Sequence, residues 1–117
     1  MNSVLIVDDD PDLLEMVCLL LRSHKLNVSC IRDGASFLTA ITENKPDVVL
    51  MDISLGDADG RKLCHELKSM EAFAHIPVIL YSAAEIPSNT VKESKADDFL
   101  TKPFDNRQLV KKIKALM

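Results

Sequence analysis

The sequence lacks the features that mark membrane and secreted proteins. No apolar run in its 117 residues approaches the length of about 20 that a membrane-spanning helix needs. The start, Met1-Asn2-Ser3, has no basic region of the kind that opens a signal peptide. There is no internal repeat and no low-complexity tract. We therefore expect a cytoplasmic protein that makes no contact with membranes.

Cysteine and histidine are also few, and neither type has the spacing of metal ligands. There is no C-x-x-C pattern, and the odd number of cysteines predicts reduced thiols in the core rather than a disulfide framework. The histidines likewise lack the spacing of a zinc site. The residues concerned are Cys18, Cys30, Cys64, His24, His65 and His75.

Positive charge is not in excess, since 14 lysines and arginines face 18 acidic residues and the net charge is -4. Domains that bind nucleic acid are usually basic, so we expect no direct contact with nucleic acid. The length suits one domain with a substantial core. We expect residues 1–117 to form that single domain, without an output domain.

Short apolar runs that end in a polar residue dominate what the sequence does contain. The run Val48-Val49-Leu50-Met51 ends in Asp52 and is followed by turn-forming residues, a pattern typical of a strand buried on both faces. Three other strands are predicted to end in the same way, and a less apolar one fits the edge of a sheet. These are Val4–Val7 before Asp8-Asp9, Val78–Tyr81 before Ser82, Asp98–Thr101 before Lys102, and the edge strand Asn27–Ile31.

Helical patterns alternate with these strands. Asp10, Asp59 and Asp105 stand where helices are expected to begin, each as an N-cap. The alternation predicts a doubly wound α/β fold, with five parallel strands and helices on both faces. In a parallel sheet the carboxyl ends of the strands share one edge, so the polar residues that follow them are expected to converge there.

The converging groups suit the chemistry of phosphoryl transfer. Three carboxylates in one pocket repel each other and require a cation. Oxygen ligands without histidine or cysteine favour Mg²⁺ or Mn²⁺ over zinc. With a lysine and a hydroxyl nearby, a central carboxylate can attack phosphorus and form an acyl phosphate.

Four segments, in this order, carry a resemblance to a known family. They are Val7-Asp8-Asp9, Met51-Asp52, Tyr81-Ser82-Ala83 and the stretch from Ala96 to Phe104. Over nearly its whole length the sequence resembles the receiver domain of two-component response regulators. The resemblance implies a flavodoxin-like sheet with strand order 2-1-3-4-5.

The resemblance also implies a role for each acidic position. Asp52 would be the phosphoacceptor. Asp8 and Asp9 would be the acidic pair that holds Mg²⁺, with Asp9 and Asp52 as direct ligands. The backbone carbonyl of Ser54 would be a further ligand.

The remaining roles implied by the resemblance concern the switch. Ser82 would supply the hydroxyl that bonds the phosphoryl group, and Phe99 would be the aromatic residue that moves inward with it. Lys102 would pair with the acyl phosphate, and the bond from Lys102 to Pro103 would be cis. A histidine kinase or phosphotransfer protein would donate the phosphoryl group, and an unknown downstream protein would receive the signal. We expect a monomer or weak dimer that turns over no separate substrate.

Three departures from the family pattern bear on this interpretation. Gly56 replaces a frequent proline and predicts a looser loop, and Lys95 replaces a glycine where a positive φ is expected. Residues 85–94 contain Pro87 and no apolar stripe, which predicts a short or frayed fourth helix. Ala84 is expected to leave the path of the hydrolytic water open but unassisted.

Other functions remain open from the sequence alone. A receiver-like interaction module independent of phosphorylation would keep the same pocket and explain the weak fourth helix. A phosphohydrolase with an aspartyl phosphate usually has a D-x-D motif, whereas Asp52-Ile53-Ser54 lacks the second aspartate. A carrier of flavin mononucleotide shares the fold, but an acidic crevice would repel its phosphate.

Overall fold

A computed structural model describes residues 2–83 and 88–117, in which strands and helices alternate along the chain. The five strands form one parallel sheet in the order β2-β1-β3-β4-β5. This confirms the predicted fold class and strand order. The elements are β1 Ser3–Val7, α1 Pro11–Ser23, β2 Asn27–Ile31, α2 Phe37–Asn44, β3 Val48–Asp52, α3 Gly60–Lys68, β4 Val78–Ser82, α4 Ser88–Ser94, β5 Asp98–Thr101 and α5 Asn106–Leu116.

The core lies in two layers because alternate side chains of a strand point to opposite faces of the sheet. Val4 and Ile6 of β1 pack with α1 and α5 on one face. Leu5 and Val7 pack with α2 and α3 on the other. The central strands β3 and β4 are buried along their whole length, as apolar runs predict for parallel strands. β2 lies at the edge of the sheet and is only partly buried, as expected.

Aspartates begin three of the helices, as the sequence predicts. The Asp10 side chain accepts hydrogen bonds from the backbone N–H groups of Asp12 and Leu13, and Pro11 occupies the first turn of α1. Asp59 and Asp105 each accept from the N–H two residues later, at the starts of α3 and α5. Such caps satisfy backbone donors that have no partner within the helix.

The prediction of three reduced core cysteines is wrong in part. Cys18 on α1 and Cys30 on β2 form a disulfide, and the Cys30 side chain lies at the exposed edge of the sheet. Sequence spacing did not reveal the pairing because it arises from the packing of α1 against β2. Cys64 is free and buried on α3, as expected.

The fourth helix is short, as the sequence predicts, with seven residues in α4. The predictions made on Ala84 and on residues 85–87, which include Pro87, lie outside the described residues.

Lys95 has a φ of 65°, so a lysine occupies the left-handed conformation that glycine favours. Gly56 also has a positive φ, of 81°. Among the described residues, no helix is long and apolar enough to cross a membrane.

Candidate functional site

The polar residues at the strand ends meet at one edge of the sheet. Asp52 and Ser82 are the last residues of β3 and β4, which are hydrogen-bonded neighbours. Asp8 directly follows β1 on one side of this pair, and Lys102 directly follows β5 on the other. Four consecutive strands of the sheet therefore present functional groups side by side. The topology alone explains how residues 94 positions apart in sequence come within reach of each other.

The carboxylates of Asp8, Asp9 and Asp52 form an acidic cluster at this edge. One oxygen from each lies within 4.8 Å of the others. Asp8 is fully buried and Asp52 is 6% exposed, whereas Asp9 is exposed to solvent. Oxygen donors at this spacing fit a hard divalent cation such as Mg²⁺. The exposed Asp9 marks the side from which a cation can approach.

Lys102 supplies a positive charge within the cluster. Its Nζ atom lies 3.0 Å from Asp52 Oδ2 and 3.4 Å from Asp8 Oδ2. Burial lowers the pKa of Lys102, but the hydrogen bond to Asp52 and the charge of Asp8 outweigh burial and raise it overall. The lysine therefore stays charged at neutral pH. The peptide bond between Lys102 and Pro103 is cis.

The Asp52 carboxylate is held between two donors. Its Oδ1 accepts a hydrogen bond of 2.9 Å from the Ser54 backbone N–H, and its Oδ2 faces Lys102. Burial raises the pKa of Asp52 above its ordinary value, while the Ser54 and Lys102 hydrogen bonds oppose the rise and the charge of Asp8 adds to it. A carboxylate whose charge is disfavoured by burial is well suited to share that charge with an electrophile.

The two residues predicted to form the switch lie in different surroundings. Ser82 is 5% exposed, and its backbone carbonyl accepts a hydrogen bond of 2.8 Å from the Lys102 backbone N–H. Phe99 lies on β5, next to Leu80 of β4, and is half-buried against the core layer that contains α2 and α3. Ser82 thus belongs to the acidic edge, whereas Phe99 lies outside it.

The loop from Ile53 to Asp59 is anchored on both sides. The Asp57 carboxylate accepts hydrogen bonds from the backbone N–H groups of Gly34 and Ala35, at 2.9 and 3.1 Å. Gly60 presses against the backbone of Asp52, where a Cβ atom would be closer than 3.0 Å to the Asp52 carbonyl oxygen. The loop that carries Ser54 is therefore positioned by contacts with two separate parts of the chain.

Sequence reasoning missed the role of Tyr81 in this site. Its ring is fully buried, and its hydroxyl donates a hydrogen bond to Asp8 Oδ2. Burial, and then the Asp8 charge, raise the pKa of Tyr81 above its ordinary value. One signal was present in the sequence, because a hydroxyl one residue before the end of an apolar strand points to a polar partner near that end.

The sequence profile of the response regulator receiver domain matches residues 4–114. The chain is 37% identical over 114 residues to the DNA-binding response regulator MtrA of Mycolicibacterium smegmatis, covering 96% of this chain and 49% of MtrA. It is 35% identical over 118 residues to the transcriptional regulatory protein GltR of Pseudomonas aeruginosa, covering 99% of this chain and 49% of GltR. The chain thus spans about half the length of the curated relatives it matches.

Solved structures share the fold. The receiver domain of a signal transduction histidine kinase from Syntrophus aciditrophicus superimposes with a TM-score of 0.92 at 30% identity, covering 99% of this chain and 89% of that one. The beryllofluoride-activated N-terminal receiver domain of RstA from Klebsiella pneumoniae gives a TM-score of 0.88 at 27% identity, with 97% of each chain covered.

The relatives correct one prediction and identify the family. The expectation of no contact with nucleic acid is wrong, because MtrA is a DNA-binding response regulator. The net charge of -4 describes only these 117 residues, so it carries no information about the surface with which a longer relative binds DNA. Response regulator receiver domains are signalling switches rather than conventional enzymes. The profile match over residues 4–114 shows that this chain belongs to the response regulator receiver domain family.

Proposed function

We propose that the protein is a switch that accepts a phosphoryl group on Asp52 from a histidine kinase or a phosphotransfer protein. The observation that carries the proposal is the buried Asp52 carboxylate, held by Lys102 at the edge where Asp8 and Asp9 converge. An Asp52 oxygen attacks phosphorus, a P–O bond forms, and the P–N bond of the donor phosphohistidine breaks. The imidazole leaves, and Asp52 carries an acyl phosphate.

The acidic cluster is proposed to hold Mg²⁺ or Mn²⁺ for this reaction. Asp8, Asp9 and Asp52 would be the acidic residues of the site, with the Ser54 carbonyl as a further ligand. Such an ion supplies positive charge that offsets the charge on the transferring phosphoryl oxygens. Lys102 contributes a second positive charge from within the protein and orients the Asp52 oxygen that it contacts.

Ser82 and Phe99 are proposed to transmit the change. The Ser82 hydroxyl would bond to a phosphoryl oxygen on Asp52, because the two residues end neighbouring strands. Phe99 is only half-buried, so it has room to pack more deeply when Ser82 moves. It has no hydroxyl, and any signal it carries is a change of packing. The resulting shift in surface conformations would alter the binding of a partner.

The family and its members support both the chemistry and the output. RstA, which shares this fold, has a receiver domain that is activated by beryllofluoride, a small anion that resembles a phosphoryl group. MtrA and GltR are named as a DNA-binding response regulator and a transcriptional regulatory protein, which supports transcription as the controlled process. The 117 residues are proposed to act as one receiver unit in the cytoplasm.

The intact mass of the protein after incubation with acetyl phosphate tests this function. Wild type, Asp52→Asn and Asp97→Asn are compared with and without Mg²⁺. Asp97 is a matched control because it pairs with Lys68 at 2.7 Å, away from the acidic cluster. We expect one Mg²⁺-dependent phosphoryl adduct on wild type and Asp97→Asn and none on Asp52→Asn. If wild type binds Mg²⁺ but gains no adduct, the interaction module independent of phosphorylation becomes the better explanation.

A further inference from the structure

Tyr81 places a phenol hydroxyl inside the acidic site, although it is neither an acid nor the switch residue. It is the only tyrosine in the chain, and it is fully buried one residue before the end of β4. Its hydroxyl lies 2.5 Å from Asp8 Oδ2 and donates a hydrogen bond to it. The two residues are 73 positions apart in sequence, so the sheet alone brings them together.

Packing sets the position of this hydroxyl. The Lys102 Nζ atom lies 4.7 Å from the centre of the Tyr81 ring, within the range of a cation–π contact. The Phe104 ring meets the Tyr81 ring edge to face, with centroids 5.9 Å apart and planes at 78°. The ring is contacted on two sides, and its hydroxyl group lies at Asp8.

The hydrogen bonds of Asp8 show which of its oxygens is occupied. Oδ1 accepts one hydrogen bond of 2.8 Å, from the Asp10 backbone N–H. Oδ2 accepts from Tyr81 and also from Lys102, which at the same time bonds Asp52 Oδ2. Oδ2 is therefore the Asp8 oxygen that shares the Lys102 ammonium group with Asp52. A carboxylate oxygen has about two acceptor positions, and both positions on Oδ2 are taken.

We propose that Tyr81 is a positioning residue that opposes the binding of a divalent cation, because its hydroxyl occupies the Asp8 oxygen that shares Lys102 with Asp52. A cation, or water bound to it, can contact this oxygen only if the Tyr81 hydroxyl no longer donates its hydrogen bond to it. The inference rests on the proposed function only in that the acidic cluster is taken to be the cation site. It assigns to Tyr81 a control of cation affinity that is separate from phosphoryl transfer itself.

Tyr81→Phe tests the inference because it removes the hydroxyl and keeps the ring against Lys102 and Phe104. Binding of Mg²⁺ to each protein is measured by calorimetry without a phosphodonor. We expect the dissociation constant of Tyr81→Phe to be lower than that of wild type by about tenfold, since the cation no longer competes with a hydrogen bond to a charged group. Asp97→Asn is the control. Asp97 accepts a hydrogen bond from the Val78 N–H at the opposite end of β4, so its loss weakens the strand without changing Mg²⁺ affinity.

A spectroscopic measurement on wild type gives a second readout. This readout would not change on Mg²⁺ addition if Tyr81 had only a structural role. With one tyrosine and no tryptophan, the tyrosine absorption band of the chain reports on Tyr81. Addition of Mg²⁺ is expected to shift the tyrosine absorption band, because the Tyr81 hydroxyl then loses its hydrogen bond to the Asp8 carboxylate. Asp8→Asn should show a changed signal before Mg²⁺ is added and a smaller shift afterwards.

The outcomes separate this inference from the proposed function. Tighter Mg²⁺ binding by Tyr81→Phe, together with a shifted tyrosine signal in wild type, supports it. Equal or weaker binding by Tyr81→Phe overturns it, even if Asp52 gains its phosphoryl adduct normally. If wild type binds no Mg²⁺, the inference is overturned, and the cation assigned to the proposed function is lost with it. An absent adduct with normal Mg²⁺ binding would count against the proposed function alone.

Discussion

Replacing Gly60 with alanine would push a methyl group against the backbone of Asp52, the proposed phosphoacceptor. An ideal Cβ at Gly60 lies 3.0 Å from the Ile53 Cα and 3.1 Å from the Asp52 carbonyl carbon, and closer still to the Asp52 carbonyl oxygen. Gly60 N–H also donates a hydrogen bond to the Ile53 carbonyl, which ties the start of α3 to the same segment. Neither neighbour is the flexible end of a side chain, so either the loop or the helix must move.

The expected loss of stability follows from these contacts. Overpacking a closely packed position costs about 1–3 kcal/mol. Alanine recovers up to about 1 kcal/mol through helix propensity and a less flexible unfolded chain. The net change is a destabilisation of about 1–2 kcal/mol, which lowers Tm by roughly 4–8 °C in a domain of this size. Because the strain falls on Asp52 itself, the rate of phosphorylation by acetyl phosphate should also fall, by about tenfold or more.

Thermal unfolding and the rate of adduct formation are measured on Gly60→Ala and on Ile113→Val. Ile113 is fully buried in α5, on the other core layer, and its substitution costs about 0.5–1.5 kcal/mol without touching the site. Of the two variants, only Gly60→Ala should be phosphorylated more slowly than wild type. An unchanged Tm and an unchanged rate of adduct formation in Gly60→Ala would refute the reasoning. They would show that α3 and the Asp52 backbone can move apart at no cost in stability.

Three further substitutions have a predicted direction of change in stability. Burial raises the pKa of Asp52 in the folded protein, so its charge opposes folding above the unfolded value of 3.8 and does not below it. In the presence of a metal chelator at pH 7, Asp52→Asn should therefore be more stable than wild type, and the gain should vanish as the pH falls toward 3.8. A gain that persists at that pH contradicts the explanation. Lys95→Gly should stabilise the fold by about 0.5–1 kcal/mol, because a lysine at a φ of 65° bears a steric cost that glycine avoids. The same change at exposed Lys92, inside α4, should lower stability by about 1 kcal/mol in denaturant unfolding.

Most of the fold could be predicted because its signals are local. Apolar runs of four residues marked the buried strands, and their polar ends marked the edge of the sheet. Asp10 and Pro11 marked a helix start because a side-chain acceptor and a fixed φ are useful only at that position. The positive φ of Lys95 was expected from its place in the family pattern. The signals for the strands, the sheet edge and the helix start each depend on neighbours within a few positions along the chain.

The features that sequence reasoning missed depend on distant neighbours. The pairing of Cys18 with Cys30 requires α1 to lie over β2, and nothing in the spacing of cysteines shows this. The prediction about nucleic acid failed for a different reason, because the charge of one segment was applied to a function carried by longer relatives.

The sequence by itself determined the alternation of strands and helices, and with it the set of acids, hydroxyl and lysine at one edge. It did so because the periods of strands and helices, and the rule for parallel sheets, act on residue order alone. Only the tertiary structure decided how these groups pair. The order of the strands and their register placed the Tyr81 hydroxyl on Asp8, Lys102 between two carboxylates, and Gly60 against Asp52. Those contacts join residues far apart in sequence, and their distances are fixed by packing rather than by any local pattern.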